Sequence, residues 1–294
     1  VAANRDEFYA RPTEGPQILV SEPPVFGGRD VQAGGTWLGV TPHGFFAAVT
    51  NQRSSVDQGA APRSRGELVL ETLKRGTVDS ALAWLREQTP SEFNAFNLAF
   101  GDSDTALVAY GRKAWAFEDV PSGISVLPND RLKSPEFPKV DRARTLLSEL
   151  PRDDESFLAG LQKVLTDDEV PDVFPKHGEA LPLEIQRHLH ALHVTTPAYG
   201  TRSSTIIAFQ RGRIDQYLHA DDVGDSVFRT YVRHSESSAM SFDHRVKALP
   251  TLGIGVSTEY GAFNAEGSLD LGRLGREYPE YAQFLEVGVE VSKG

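Results

Sequence analysis

The sequence predicts an α+β fold with mostly antiparallel sheets. Three observations carry this. Strand-like segments arrive in runs, helical ones in inserted blocks, and strict strand–helix alternation is absent. Successive strand signals are joined by tight Gly/Asp turns, as in F-N-L-A-F-G-D at 96–102 followed by T-A-L-V-A-Y-G at 105–111. Composition is that of a globular chain, with 39% hydrophobic and 24% charged residues in 294, enough apolar material for a sizeable core.

The first sixty residues read as β structure with turns. V-A-A at the start reads as the tail of a strand. Pro12, Pro16, Pro23 and Pro24 punctuate a loop. Two short apolar runs, Trp37 to Val40 and Phe45 to Thr50, flank Pro42-His43-Gly44, which is a hairpin signal. Both runs are too apolar for one wet face, so burial on both sides is expected. Leu68, Leu70 and Leu73, then Val78, Ala81, Leu82 and Leu85, predict two helices broken near Gly76-Thr77, with Thr77 or Asp79 as cap of the second. Three strands follow at 96–102, 105–111 and 113–118, and 122–130 is a further strand or an exit loop. Pro138 opens a helix to Leu150, and 156–166 forms another. Residues 170–187, Pro-rich and acidic, read as a surface excursion. T-R-S-S-T-I-I-A-F-Q and I-D-Q-Y-L-H form a hairpin around R-G-R. Beyond about 221 the pattern weakens and only Pro279 to Leu285 looks helical. The expected organisation is one domain over 1–225, with 226–294 an extension or the remainder of that domain.

The formal charge of −11 argues against a nucleic-acid footprint and against an anionic membrane surface. Cysteine is absent, which removes disulfides and thiolate metal sites within these residues. No apolar run is long enough for a membrane-spanning helix. The start lacks a signal-peptide pattern, and Met240 is the sole methionine, so position 1 reads as a cut. A cytoplasmic location is expected.

The candidate chemistry begins with Asn4-Arg5-Asp6-Glu7. On a strand, Asn4 and Asp6 share one face and Arg5 and Glu7 the other. An amide beside a carboxylate can hold an amine or a water; the plain alternative is a solvated Arg–Glu pair at a strand end. Asn51 and Arg53 close a buried-looking strand, where polar groups often face a cleft. Arg202 is either an anion contact or a charge preceding a core strand. His188, His190 and His193 do not share one face on either a helix or a strand, and no zinc spacing is present. Phosphate-loop, dinucleotide and G-x-S-x-G patterns are likewise missing.

N-R-D-E-F-Y-A-R-P-T resembles the signature of the NRDE family, also called the transport and Golgi organisation 2 family. G-G-T-W-L-G-V with T-N-Q-R, S-R-G-E-L, F-N-L-A-F-G-D, L-P-N-D-R-L with F-P-K-V-D-R-A-R, and Y-G-T-R-S-S-T resemble it in order, covering about residues 1–220. The resemblance implies an N-terminal-nucleophile hydrolase type of fold, a four-layer α/β/β/α sandwich. Distant relatives cleave linear amide C–N bonds with an N-terminal cysteine whose α-amine, with an ordinary pKa of about 8, serves as base. The implied roles are Asn4 and Asp6 orienting that amine and Asn51 donating to the oxyanion. Arg5, Trp37, Arg53, Asn129 and Arg202 are the implied binding residues. Ala3 falls where those relatives carry an arginine, which departs from their pattern. Val1 has neither thiol nor hydroxyl, so the nucleophile is expected upstream of it.

Two function classes follow: an amidohydrolase-like enzyme on a small molecule, and a non-catalytic binding or trafficking protein on the same fold. No cofactor is required by the first. For the second, haem is a candidate ligand, with His188, His190, His193 and Met240 as the side chains available. A structural metal on the histidine cluster is a third reading.

Overall fold

The computed structural model describes residues 1–52, 63–132, 134, 137–151, 153–175, 183–210, 212–221 and 227–233. Two antiparallel sheets stand face to face. One has four strands in the order β1 (Ala2–Phe8), β9 (Tyr199–Gln210), β10 (Arg213–Asp221), β11 (Arg229–Arg233). The other runs through seven strands in chain order: β2 (Thr13–Ser21), β3 (Pro24–Asp30), β4 (Leu38–Val40), β5 (Phe46–Asn51), β6 (Phe96–Gly101), β7 (Ala106–Gly111) and β8 (Trp115–Asp119). That sequential order is what short turns between strands produce.

The alternation of side chains in each strand builds the layers. Phe26, Leu38, Val40 and Phe46 of the larger sheet meet Ile207, Ile214, Tyr217 and Val232 of the smaller one. The opposite face of the larger sheet, with Ala47, Phe96, Leu98, Phe100 and Ala109, packs against Leu68, Val69 and Leu73 of α1 (Arg65–Lys74) and Ala81 and Leu85 of α2 (Val78–Glu87). Ile206 and Leu218, on the outer face of the smaller sheet, meet Leu161 and Leu165 of α4 (Asp154–Leu165), with Leu147 of α3 (Pro138–Ser148) beside them. The result is the α/β/β/α sandwich implied by the resemblance. Strands β5 and β6 are apolar on both faces because each face meets a different layer.

Local signals account for the helix ends. Thr77 caps α2 by accepting from the Ser80 amide at 3.3 Å, and Gly76, at φ 72°, supplies the left-handed turn that separates α1 from α2. Pro138 occupies the first turn of α3, where its missing N–H costs nothing. The hairpins at Gly44 (φ 79°) and Gly212 (φ 71°) lie where the sequence predicts turns.

Several expectations need correction. The proline-punctuated loop is two strands, β2 and β3. Strand β2 is the outer strand of its sheet, and Pro16 falls in the register break between Glu14 and Gln17, so its missing N–H interrupts no ladder bond. Of the two readings of 122–130, a strand or an exit loop, the structure has the exit loop. Within the Pro-rich excursion lies a short helix, α5 (Leu183–His188). Strand β11 lies in the stretch where periodicity fades; it is held by pairing to β10. The helix expected at 279–285 and the boundary near 225 lie outside the described residues. None of the described helices is long and apolar enough to cross a membrane.

Candidate functional site

Strand β1 is bonded to β9 along its length, and Val1 continues the ladder: its nitrogen donates to the Ile207 carbonyl at 2.8 Å, and Ile207 N donates back at 2.7 Å. The two faces of β1 meet different layers. Asn4 faces the α4 side, where its Nδ2 donates to the Leu165 and Leu192 carbonyls, both at 2.8 Å, and its Oδ1 accepts from Ser204 Oγ at 2.7 Å. Both N–H donors of Asn4 are thereby used. Asp6 accepts from Thr201 Oγ1 at 2.8 Å, and the Tyr199 hydroxyl donates to the Asp6 carbonyl at 3.2 Å. Burial, reinforced by the Asp6 and Glu7 charges, pushes the Tyr199 phenol well above its ordinary value, so it stays a donor.

Arg5 faces the other sheet. Its guanidinium lies over the Trp37 ring, 4.2 Å from the centroid, and Nη1 donates to Thr13 Oγ1 at 3.1 Å. The residue is only 8% exposed. Burial lowers its pKa, Glu7 and Asp30 partly offset this, and Arg11 and Arg202 add repulsion. Arg11 is itself paired with Asp30 at 2.7 Å and lies 3.6 Å from Glu7. Arg65, the first residue of α1, joins this group: burial lowers its pKa, Glu7 attracts it, and Arg11 repels it. The Arg65 side chain makes no hydrogen bond among the described residues.

Backbone contact holds this end of the sandwich together. A Cβ on Gly35 would stand 2.3 Å from the Gly66 carbonyl carbon, so only glycine lets the G-G-T-W segment lie against the start of α1. Thr36 N donates to the Gly66 carbonyl at 3.3 Å, and Thr36 Oγ1 donates to the Leu38 carbonyl at 2.9 Å. Trp37 is thus delivered beneath Arg5 by a fixed turn. On the far side, Asn129 Nδ2 donates to the Asn51 carbonyl at 2.9 Å. The Asn51 side chain makes no hydrogen bond among the described residues.

Asn4, Arg5, Asp6, Trp37, Asn51 and Asn129 all line one cavity of about 1590 Å³. Apolar walls from Leu38, Phe46, Ala48, Ala99 and Ile207 adjoin the polar end. A concave surface with both apolar walls and convergent polar groups suits a small molecule. Arg202 does not line it. Its Nη1 is close to the Tyr9 carbonyl and reaches the Phe8 carbonyl at 3.3 Å, so it secures the turn after β1. Arg53 lies outside the described residues.

The histidines do not converge. His188 lies 3.3 Å from Glu184, His190 packs against Phe174 with centroids 5.5 Å apart, and His193 Nδ1 is 3.3 Å from the Leu165 carbonyl. None of the three lines the cavity, so the described residues provide no histidine ligand for a haem held there. Met240 lies outside the described residues. No group of three metal-ligating side chains forms among the described residues.

The sequence does not single out Arg65 or Asn97, although both sit in family-like segments. Arg65 resembles any charged helix start until Gly35 and Gly66 bring it to the cavity. Asn97 is a polar residue in an otherwise apolar strand, and that mismatch was the available signal.

Residues 1–218 match the family model described as Transport and Golgi organisation 2. The chain is similar to the Transport and Golgi organization protein 2 homologs of Bos taurus, 35% identical over 231 residues, and of Homo sapiens, 33% identical over 229 residues. Each alignment covers 70% of this chain and 80% of the relative. Among solved structures it is similar to the Caenorhabditis elegans ortholog of N-acylethanolamine-hydrolyzing acid amidase, with 14% identity and a TM-score of 0.42, covering 69% of this chain and 85% of that one. It is also similar to a mutant of the conjugated bile acid hydrolase from Clostridium perfringens, with 10% identity and a TM-score of 0.42, covering 81% of this chain and 94% of that one.

Proposed function

The chain belongs to the transport and Golgi organisation 2 family, and on that premise we propose that it is an amidohydrolase-like protein. It cleaves a linear amide C–N bond of a small molecule with a nucleophile carried upstream of Val1. The observation that carries this reading is the position of β1. It is the outer strand of its sheet, bonded to β9 on one side, and among the described residues its other edge is unpaired, while its Asn4–Asp6 stretch lines the cavity. A preceding strand would add to that edge about 5 Å away and bring a terminal residue beside Asp6.

In this reading the free α-amine of the nucleophilic residue takes the proton as the thiolate or alkoxide attacks the amide carbonyl. Asp6 accepts from the ammonium that forms. Asn51, whose amide is uncommitted, donates to the oxyanion. Collapse of the tetrahedral intermediate expels the amine, which takes the proton from the ammonium, and water then releases the acyl group. Asn4 orients the site through the backbone it anchors, since both of its N–H donors already serve Leu165 and Leu192. Arg5, Trp37 and Asn129 shape the polar end around the substrate. The reading takes the protein as cytoplasmic, with a small molecule rather than nucleic acid as its partner, in keeping with its charge of −11.

The test is the protein purified with its native N-terminus. Its first residue is read by N-terminal sequencing and intact mass, and turnover is followed on a panel of N-acyl amides. The expected result is a first residue of Cys, Ser or Thr and turnover that falls at least about a hundredfold in Asp6→Asn. A different first residue together with no turnover sinks the proposal. The second reading is a non-catalytic protein that binds a small molecule in the same cavity. Ligand-induced thermal stabilisation without product formation would select it.

A further inference from the structure

We propose that Asn97 is the positioning residue of this site: its single carboxamide sets Asn51 and Asn129 at the cavity. The inference rests on the amidohydrolase reading for its kinetic part, and on geometry for the rest. Asn97 lies in β6, 0% exposed, between Phe96 and Leu98, which both face the helical layer. Its side chain turns to the opposite face. There the two N–H groups of Nδ2 are shared among three acceptors, Thr50 Oγ1 at 3.0 Å, the Pro128 carbonyl at 3.1 Å and the Asp130 carbonyl at 2.8 Å. Its Oδ1 accepts from Gln52 Nε2 at 2.7 Å.

The pattern is specific in what it grips. Thr50 and Gln52 flank Asn51; Pro128 and Asp130 flank Asn129. One side chain therefore holds the neighbours on both sides of each cavity residue, and the Asn129–Asn51 bond at 2.9 Å joins the two segments directly. The segment 122–130 has no ladder of its own, and Pro128 has no N–H to offer one. Its position depends on side-chain donors reaching its carbonyls. Tyr110 supplies a second hold, its hydroxyl accepting from Leu132 N at 3.1 Å. Gln52 is braced in turn by Arg112, whose Nε donates to Gln52 Oε1. An apolar residue of the same shape at 97 would remove a donor from the Pro128 and Asp130 carbonyls and loosen the loop from β5, leaving the Asn129–Asn51 bond and the Thr50 Oγ1 contact with the Pro128 carbonyl at 3.4 Å to hold it.

The experiment uses the full-length protein with its native N-terminus and the near-isosteric variant Asn97→Leu. Hydrogen–deuterium exchange is measured over 127–132 and 50–52, and steady-state turnover of an N-acyl amide is measured alone and in an Asn129→Ala background. The expected result is at least about tenfold faster exchange in 127–132, with α1 and α2 unchanged. A loss of about ten- to a hundredfold in kcat/KM should accompany it, as misplacement of a catalytic group by about 1 Å produces. That loss should shrink severalfold when Asn129 is already alanine. Unchanged exchange in the loop, or kinetic losses that simply multiply, would overturn the proposal. Should Asn97→Leu not fold, Asn97→Asp carries the same readouts, because its carboxylate accepts from Gln52 but donates to neither carbonyl. Wild-type protein without amide turnover would refute the enzymatic reading alone, while the exchange measurement still decides the role of Asn97.

Discussion

Arg5 and Trp37 form a contact between the two sheets at the polar end of the cavity: the guanidinium carbon is 4.2 Å from the ring centroid, with Arg5 buried and Trp37 half-buried. A buried cation over an indole is stabilised by the ring quadrupole and by the packing of its methylene stem. Arg5→Ala should lower stability by about 1–2 kcal/mol, read from urea denaturation. Arg5→Lys should recover part of this, since an ammonium keeps the charge but not the planar fork. Equal midpoints for Arg5→Ala and wild type would show that the contact contributes nothing.

Asn4 is a clamp between β1, β9 and the ends of two outer segments. Removing its carboxamide leaves the Leu165 and Leu192 carbonyls and Ser204 Oγ without that partner. Asn4→Ala should cost about 2 kcal/mol, measured by chemical denaturation. Asn4→Asp should be no better, since a carboxylate would face two carbonyl oxygens.

Gly35 admits no side chain. In Gly35→Ala the new methyl would meet Gly66 at 2.3 Å and 2.6 Å, both backbone atoms. The G-G-T-W turn and the start of α1 must separate, carrying Trp37 away from Arg5. We expect a loss of about 2–3 kcal/mol and a shift in tryptophan fluorescence. Gly34→Ala is the control for crowding, because nothing lies within 4 Å of its Cβ position; its φ of 74° leaves only backbone strain of about 1 kcal/mol.

Stability should fall at both ends of the pH scale for different reasons. The His219 hydrogen bond holds the Asp221 carboxyl below its ordinary 3.8. Its contribution is present above 3.8 and is lost as pH falls through the lower folded value. Burial, together with the Glu118 bond, raises Tyr110 to about 12, and burial raises Tyr231 to about 12. Their contribution is complete below 10.0, the ordinary value, and is lost as pH climbs to about 12. Denaturation midpoints across pH should show both limbs. In Asp221→Asn the acid limb should flatten; the Tyr110 part of the alkaline limb should stay, while the Tyr231 part should weaken, because the Asp221 charge adds to the burial that raises Tyr231.

Local pattern determined much of this molecule. Alternation put Asn4 and Asp6 on one face of β1 and Arg5 on the other, and two-sided apolar strands announced a core with layers on each side of a sheet. The break at Gly76 and the hairpins at Gly44 and Gly212 followed from turn chemistry, which acts within a few residues. The family-like segments named the motifs, yet not their partners. Tertiary structure decided what each face of β1 meets: Asn4 reaches carbonyls at 165 and 192, and Arg5 reaches Trp37. It also made strands of a proline-rich segment, because an outer strand tolerates a missing N–H, and of 229–233, because β10 supplied a partner. Asn97 is the sharpest case. Its own sequence window says only that a polar residue interrupts an apolar strand; that it grips the neighbours of Asn51 and Asn129 depends on contacts spanning 31 to 47 residues, which no local periodicity encodes.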